Sequence, residues 1–130
     1  MVCKVREIKP NELRIVLSLI KKLFPNANIE IDEDDIFYVA IFNGKIVGFL
    51  HITDTDDYIF LRGIGVHPQY QHSGHGSALL TKLDEISTVL SKKVYLKVKA
   101  FNPAVLLYEK FGFMMHRFGP TYTLVKKPNN

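Results

Sequence analysis

Hydrophobic residues along this chain recur with helical spacing in three stretches. The first set lies near the N-terminus and ends at Pro25-Asn26: Leu13, Val16, Leu17, Ile20, Leu23 and Phe24. The second set follows a glycine-rich segment: Leu79, Leu80, Leu83, Ile86 and Leu90. Asn102-Pro103 opens a third stretch, which Gly112 closes. The spacing therefore predicts three helices, with Asn11 as the candidate N-cap of the first.

Runs of β-branched and aromatic residues lie between these helices. The runs 37–42 and 46–53 flank Asn43-Gly44, the strongest short-range signal for a hairpin. Further strands are predicted at 2–9, 58–66, 94–99, 113–118 and 122–126. The element order β-α-β-β-β-α-β-α-β-β predicts an α/β (α+β) fold, with one mixed, twisted sheet of about seven strands flanked by helices on both faces. Because 130 residues suit one core, we expect residues 1–130 to form a single domain.

Composition narrows the class of protein. The chain is 47% hydrophobic and 23% charged, as in ordinary globular proteins. No apolar run reaches the roughly 18 residues that a membrane span needs. Residues 1–7 carry charges where a signal peptide needs an apolar stretch. Cys3 is the single cysteine and cannot form an internal disulfide. These features favour a cytoplasmic protein with no membrane partner.

The formal net charge of +4 suits either nucleic acid or a phosphate-rich cofactor. The basic residues are scattered, whereas the acidic residues cluster between Glu30 and Asp35. We therefore expect no nucleic-acid partner. A monomer and a homodimer are both compatible with the sequence.

One loop carries candidate chemistry. Strand, glycine-rich loop and helix is an arrangement that binds phosphates, because backbone N–H groups and the helix N-terminus converge there. Gly74 and Gly76 would let the backbone approach a phosphate closely. The histidine and serine side chains could add donors. A loop that only turns the chain would explain the two glycines equally well. The loop residues are Gln71, His72, Ser73, Gly74, His75, Gly76 and Ser77.

Rival motifs fail on residue type. A dinucleotide-binding fingerprint starting at Gly63 would need its third glycine at Pro68, and no lysine follows Gly76 as a P-loop requires. His67, His72 and His75 match no zinc-ligand spacing, so we expect no metal.

Two segments resemble the signatures of the general N-acetyltransferase (GNAT) superfamily. In the first signature a strand ends in Val-x-Pro and precedes Gln/Arg-x-x-Gly-x-Gly/Ala and a helix. This chain has Val66-His67-Pro68 and then Gln71-His72-Ser73-Gly74-His75-Gly76. The second signature is an Asn after a strand, then a helix with Leu-Tyr-Glu-Lys-x-Gly-Phe. Here Asn102 precedes Leu107-Tyr108-Glu109-Lys110-Phe111-Gly112-Phe113. With the element order, the resemblance covers nearly the whole chain.

The resemblance implies an acetyl-CoA-dependent N-acetyltransferase with a primary amine as acceptor. It implies that backbone groups of Ile64, Gly65 and Val66 pair with the pantetheine arm of coenzyme A, and that residues 71–77 wrap the pyrophosphate. Asn102 would contact the cofactor near the pantetheine, and Tyr108 would act as general acid toward the sulfur. The plainer alternatives are that Asn102 only caps a helix and that Tyr108 only packs in the core.

The general base stays unassigned. Family members usually place Glu or His on the fifth strand or Glu on the fourth, but the matching positions here are Lys97 and Phe60. His51 and His116 are substitutes that the sequence does not place near the amine, and either could be an ordinary core or surface histidine.

Without a strong base, an acceptor that is already partly neutral is favoured. An α-amine has a pKa of about 7.7–8.0 and a lysine side chain about 10.4. We therefore expect a protein or peptide N-terminus as acceptor, with a small amine as the alternative. The acidic run 29–35 could steer a cationic acceptor or be a solvated loop. The competing function is a non-catalytic acyl-CoA-binding module.

Overall fold

The computed structural model describes residues 3–129. Within these residues there are three α-helices: α1 (Leu13–Leu23), α2 (His75–Leu90) and α3 (Ala104–Lys110). Seven strands form one sheet: β1 (Lys4–Glu7), β2 (Asp35–Phe42), β3 (Lys45–Asp54), β4 (Tyr58–Val66), β5 (Lys93–Lys99), β6 (Met114–Arg117) and β7 (Thr121–Lys126). The strand order is β1-β2-β3-β4-β5-β7-β6, and β4–β5 is the parallel pair. The predicted α/β fold and element order are confirmed.

The start of the first helix differs from the prediction. Pro10–Glu12 forms a single 3-10 turn, and α1 begins at Leu13, so Asn11 is not an N-cap. The Glu12 carboxylate accepts a hydrogen bond from the Lys9 N–H at 2.7 Å and two from Arg6 at 2.8 Å. Hydrogen bonds from Arg6 and then from Lys9 lower the pKa of Glu12 to about 2.

The first strand is also shorter than predicted, and Val2 lies outside the described residues.

Helices cover both faces of the sheet, as predicted. Helix α1 packs on one face, where its buried side chains meet Phe37, Val39 and Phe49. Helices α2 and α3 pack on the other, together with the alternate residues of the same strands: Leu50, Ile52, Ile59, Leu61, Leu96 and Leu124. Strand β3 is therefore buried on both sides.

A glycine sets how closely α1 approaches β4. A Cβ atom on Gly65 would lie 2.8 Å from Leu23 Cδ1 and 2.8 Å from Phe49 Cε1. Such contacts are far inside van der Waals range, so any side chain there would displace the end of α1. Gly65 thus keeps the end of α1, and the segment that follows it, beside β4.

Strands β4 and β5 part halfway along their length. Their pairing runs from Tyr58–Lys93 to Leu61–Leu96, whereas β4 continues to Val66 and β5 to Lys99. The β3–β4 register shifts at the same point, because His51 pairs with Gly63 while Ile52 pairs with Leu61. Arg62 is the extra residue of this bulge, and bulges bend the strand that carries them. The bend leaves a V-shaped gap between residues 62–66 and 97–99.

Across residues 3–129, no helix has both the length and the apolarity that crossing a membrane requires.

Candidate active site

The gap between β4 and β5 opens into a cleft of about 930 Å³. Its walls come from the end of α1, the segment 25–32, β3, β4, β5 and the start of α3. The polar and catalytically relevant residues on these walls include His51, Arg62, Lys97, Asn102 and Tyr108. The cleft therefore gathers Asn102 and Tyr108 of the second signature with Ile64 of β4 and one histidine from β3.

The edge of β4 that faces the gap has free backbone groups. His67 N–H donates to Val47 O at 2.7 Å, which marks that pair as hydrogen-bonded. Hydrogen-bonded and non-hydrogen-bonded pairs alternate in an antiparallel ladder, so Val66 and Ile64 point their N–H and C=O groups away from β3. Between β4 residue 62 and Val66 no described strand takes up those groups. The Val66 carbonyl instead accepts the Gln71 side-chain amide at 3.0 Å.

The predicted phosphate loop ends at the N-terminus of α2. Gly74 precedes the helix in the left-handed region at φ 90°. Ala78 N–H donates to Gly74 O at 3.0 Å. The N–H groups of the three preceding residues belong to the first turn, where a helix has no acceptors of its own: His75, Gly76 and Ser77. A Cβ on Gly76 would approach nothing closer than 3.9 Å, so space remains beside these donors.

The other loop residues take different roles. His72 is exposed and has φ 63°, so it lies in the turn itself. The Ser73 carbonyl accepts the Cys3 thiol at 3.5 Å, which ties the loop to the chain just before β1. Gln71 uses its side chain to brace the end of β4. The loop is thus fixed from both sides, while the N–H groups of residues 72–77 have no acceptor among residues 3–129.

The structure corrects the expectation that the side chain of His75 adds a donor to the phosphate loop. Its side chain is 1% exposed and packs edge-on against Phe42 and Tyr70, so it cannot donate to a ligand in the loop. The reason is helical spacing, because His75 lies four residues before Leu79 on the buried face of α2. Only the backbone N–H of His75 faces the site.

Helix α3 positions Tyr108. Gly112 has φ 98°, and the N–H groups of Phe113 and Gly112 donate to the carbonyls of Tyr108 and Glu109 at 3.1 and 3.0 Å. This is a Schellman motif, which brings the residue after the glycine against the last turn of the helix. The ring centroids of Tyr108 and Phe113 accordingly lie 5.7 Å apart. Burial raises the pKa of Tyr108, so its hydroxyl keeps its proton at neutral pH.

Asn102 has one confirmed role. Its Oδ1 accepts the Ala104 N–H at 2.9 Å, so it caps the start of α3. It also lines the cleft together with Tyr108. The helix cap and a contact to a ligand are compatible, because the cap uses a single oxygen atom.

His51 is the residue that the sequence did not place. It is buried in the cleft wall, on the same face of β3 as Phe49. Its Nε2 lies 3.4 Å from Asp35 Oδ1, longer than a normal N–H···O hydrogen bond. The alternation of side chains along the strand 46–53 could have predicted that residues 49 and 51 share one face of the sheet. The approach of Asp35 on β2 could not be predicted, because it depends on the register between two strands.

Asp35 is ionised in this setting. Burial alone would raise the pKa of Asp35, but hydrogen bonds from Asp32 N–H and the Thr53 hydroxyl, with the charge of His51, hold it below its ordinary value. Burial lowers the pKa of His51, Asp35 opposes that effect, and Arg62 reinforces it, so His51 is neutral near pH 7. The cleft therefore contains a neutral imidazole beside a buried carboxylate.

The other positions considered for the general base lie outside the cleft or hold a side chain that is not a carboxylate or an imidazole. His116 is exposed, packs against Tyr95 at 5.4 Å, and lines a separate groove that also contains Phe60. Lys97 is exposed and borders both the groove and the cleft. Of the acidic run, Glu30 and Asp32 line the cleft.

Comparison with known proteins gives relatives for much of the chain. The human cysteine-rich protein 2-binding protein (Homo sapiens) is 28% identical over 116 residues, covering 85% of this chain and 15% of that protein. The ribosomal protein bS18-alanine N-acetyltransferase of Escherichia coli (strain K12) is 40% identical over 73 residues, covering 55% of this chain and 49% of that protein. The chain thus spans about half the length, or less, of these curated relatives.

A solved structure and a family profile complete the comparison. The structure of Arabidopsis thaliana NAA60 in complex with acetyl-CoA superposes with a TM-score of 0.81 at 18% identity, covering 99% of this chain and 100% of that chain. It shares the fold. The profile of the acetyltransferase (GNAT) domain matches residues 33–115, which is more than half of the 130 residues. On this match, the chain belongs to the GNAT acetyltransferase family.

Proposed function

We propose that this protein transfers the acetyl group of acetyl-CoA to a primary amine by direct attack in a ternary complex. The favoured acceptor is the N-terminal α-amine of a protein or peptide, and a small amine is the alternative. The observation that carries the proposal is the open edge of β4, whose end at Val66 lies close to the free N–H groups at the start of α2. A cofactor with an amide-containing arm and a pyrophosphate would supply hydrogen-bond partners for both the strand edge and the helix N-terminus.

The cofactor would lie along the gap. Ile64 would pair with a pantetheine amide through its N–H and C=O groups, as a short added strand does. Val66 would contact the cofactor through its N–H alone, because the Gln71 side chain occupies its carbonyl. Gly65 points its own N–H and C=O groups toward β3, so its part is to keep the strand close to α1. The N–H groups at the start of α2 would bind the pyrophosphate, and Asn102 would meet the arm near its thiol end.

The protein groups around the thioester suit acyl transfer. The neutral amine nitrogen forms a bond to the acetyl carbon and loses one proton, which finally reaches solvent. The carbonyl oxygen becomes an oxyanion that the Val66 N–H would stabilise, and it returns to a carbonyl as the thiolate leaves. When the carbon–sulfur bond breaks, Tyr108 would donate its proton to the thiolate. Because burial raises the pKa of Tyr108 above its ordinary value, the hydroxyl is fully protonated when the thiolate forms. No metal is needed in this scheme.

Gly76→Val tests the phosphate site. The backbone at Gly76 is ordinary helix and nothing lies within 3.9 Å of the new Cβ, so the fold should tolerate the change. The larger side chain would occupy the space beside the free N–H groups. We expect acetyl-CoA affinity, measured by calorimetry, to fall by at least about tenfold. Thr81→Val, an exposed position further along α2, is the control and should bind normally. Equal affinities in both variants would remove the pyrophosphate from this helix terminus.

Tyr108→Phe tests the proton donor. The variant keeps the ring contact with Phe113 and loses only the hydroxyl. We expect acetyl-CoA affinity to be retained and kcat to fall by about 10²–10⁴-fold. The control is Tyr122→Phe, a partly buried tyrosine on β7 outside the cleft. Wild-type kcat in Tyr108→Phe would reduce this residue to a packing role.

The preference for an α-amine has two supports. The usual carboxylate positions hold Phe60 and Lys97, so a fully protonated lysine side chain would meet no strong base there. The bacterial relative is named for acetylating an alanine nitrogen. Glu30 and Asp32 on the cleft wall add negative charge that suits a cationic acceptor during approach.

A pair of peptides tests the acceptor. One has only its N-terminus free and the other has only a lysine side chain free. At pH 7 the neutral fraction of an α-amine exceeds that of lysine by roughly a few hundredfold, and kcat/KM should follow the same order. Activity toward the lysine peptide should rise steadily with pH. Equal kcat/KM values at pH 7 would contradict the preference, and no thiol release from acetyl-CoA with any amine would favour the non-catalytic binding module.

We further propose that residues 1–130 act as a single domain in the cytoplasm, as a monomer or homodimer, without a nucleic-acid or membrane partner. The scattered basic residues support the absence of a nucleic-acid partner.

A further inference from the structure

A chain of polar side chains crosses the α1 face of the sheet beside the cleft. Arg62 Nε donates to Thr53 Oγ1 at 2.9 Å, and the Thr53 hydroxyl donates to Asp35 Oδ1 at 2.7 Å. The same Oδ1 lies 3.4 Å from His51 Nε2. The side chains of Asp35 and His51 are only 3% and 9% exposed. Burying such groups costs free energy that an apolar pair would not, so a role in function is indicated.

The imidazole ring has a fixed orientation. It stacks on Phe37 with the ring centroids 4.2 Å apart and the planes 18° from parallel. Nε2 is buried and turned to Asp35, so Nδ1 is the nitrogen that can reach the cleft. The residue opposite His51 on β4 is Gly63, and the ring of Phe49 lies over it, 3.3 Å from the place that a Cβ atom would take. His51 and Phe49 thus line the cleft together, one strand away from the open edge of β4.

We propose that His51 Nδ1 accepts the proton that the attacking amine loses, and that Asp35 is a positioning residue that holds the ring and favours its charged form. This proposal rests on the proposed function. As the carbon–nitrogen bond forms, one N–H proton passes to Nδ1. The carbon–sulfur bond then breaks, and the thiolate takes its proton from Tyr108. His51 returns its proton to solvent and Tyr108 is reprotonated from solvent before the next turnover.

The charges around the ring suit this role. Asp35 on β2 stabilises the imidazolium, whereas Arg62 on β4 opposes it. Lys97 on β5 lines the same cleft. Glu30 and Asp32 lie on the wall formed by segment 25–32. Burial lowers the pKa of His51, so the ring is neutral and ready to accept a proton near pH 7.

The same balance agrees with an α-amine acceptor. Only the neutral amine can attack, and a weak base leaves that neutral fraction to the amine's own pKa, so an ammonium of pKa about 8 supplies far more attacking amine near pH 7 than one of pKa about 10.4. The preference then no longer depends on the absence of a base. It follows from the weakness of the base that is present.

The first test is His51→Gln, assayed on a peptide with a free N-terminus. We expect kcat to fall by about 10²–10⁴-fold at pH 7, with acetyl-CoA affinity unchanged. His116→Gln is the matched control, since it removes an exposed histidine outside the cleft, and it should keep wild-type kcat. A His51→Gln variant that folds, binds acetyl-CoA and turns over at the wild-type rate overturns the proposal.

The second test uses the wild-type protein and does not depend on any variant folding. The acceptor is an aminooxyacetyl-capped peptide, whose terminal nitrogen stays neutral over the range in which imidazole titrates. We expect kcat/KM to fall as pH drops through the pKa of His51, below about 6.5. A profile that is flat down to the pH where the protein unfolds overturns the proposal.

The third test separates positioning from simple stability. In Asp35→Asn the ring loses its negative partner, so the acidic limb of the same profile should move to lower pH. The His51 pKa, followed by NMR of its ring protons, should move in the same direction. A loss of stability with the limb and the NMR titration unmoved would make Asp35 purely structural and contradict its assigned role.

These outcomes distinguish the two levels of the account. If the wild type acetylates no amine at all, the proposed function fails and the proposal fails with it. If the wild type acetylates α-amines and His51→Gln does so equally well, the proposed function stands and only the assignment of His51 is wrong.

Discussion

The separation of β4 from β5 is the feature on which the rest of the site depends. Parallel pairing ends at Leu61 and Leu96, at the point where the bulge at Arg62 bends β4. Without the bulge, β4 would run straight and the strands could pair to their ends. The N–H groups of Ile64 and Val66 and the C=O group of Ile64 would then be used within the sheet. The cleft exists because these groups have no partner strand on that side.

Close packing on either side turns that gap into a site with two distinct walls. On one side, Gly65 lets α1 lie directly on β4, which brings segment 25–32 over the gap. On the other side, the Schellman motif at Gly112 holds α3 so that Tyr108 faces the same space. The α1 side carries buried and exposed charges, and the α3 side carries a neutral hydroxyl. Proton removal and proton donation can then occur at opposite walls of one cleft.

The sequence was sufficient for features that depend on local chemistry. Asn43 and Gly44 both have positive φ, as the hairpin signal required, and Gly112 ends α3 in the left-handed region. Helical spacing located α1 and α2. Features that depend on strand register could not be predicted, because residue spacing along the chain does not show which residues of two strands pair. The bulge at Arg62 and the approach of Asp35 to His51 belong to this class. The burial of His75 could have been predicted from its spacing to Leu79, but the glycine-rich context suggested a loop instead.

The most direct measurement of the central claim is amide hydrogen exchange at three consecutive residues of β4 with and without acetyl-CoA. Ile64 and Val66 present their N–H groups to the gap, whereas Gly65 donates within the β3–β4 ladder. If the cofactor arm pairs with this edge, saturating acetyl-CoA slows exchange at Ile64 and Val66 far more than at Gly65. Exchange that stays unchanged at all three residues, or slows equally at all three, under saturating acetyl-CoA would contradict the account.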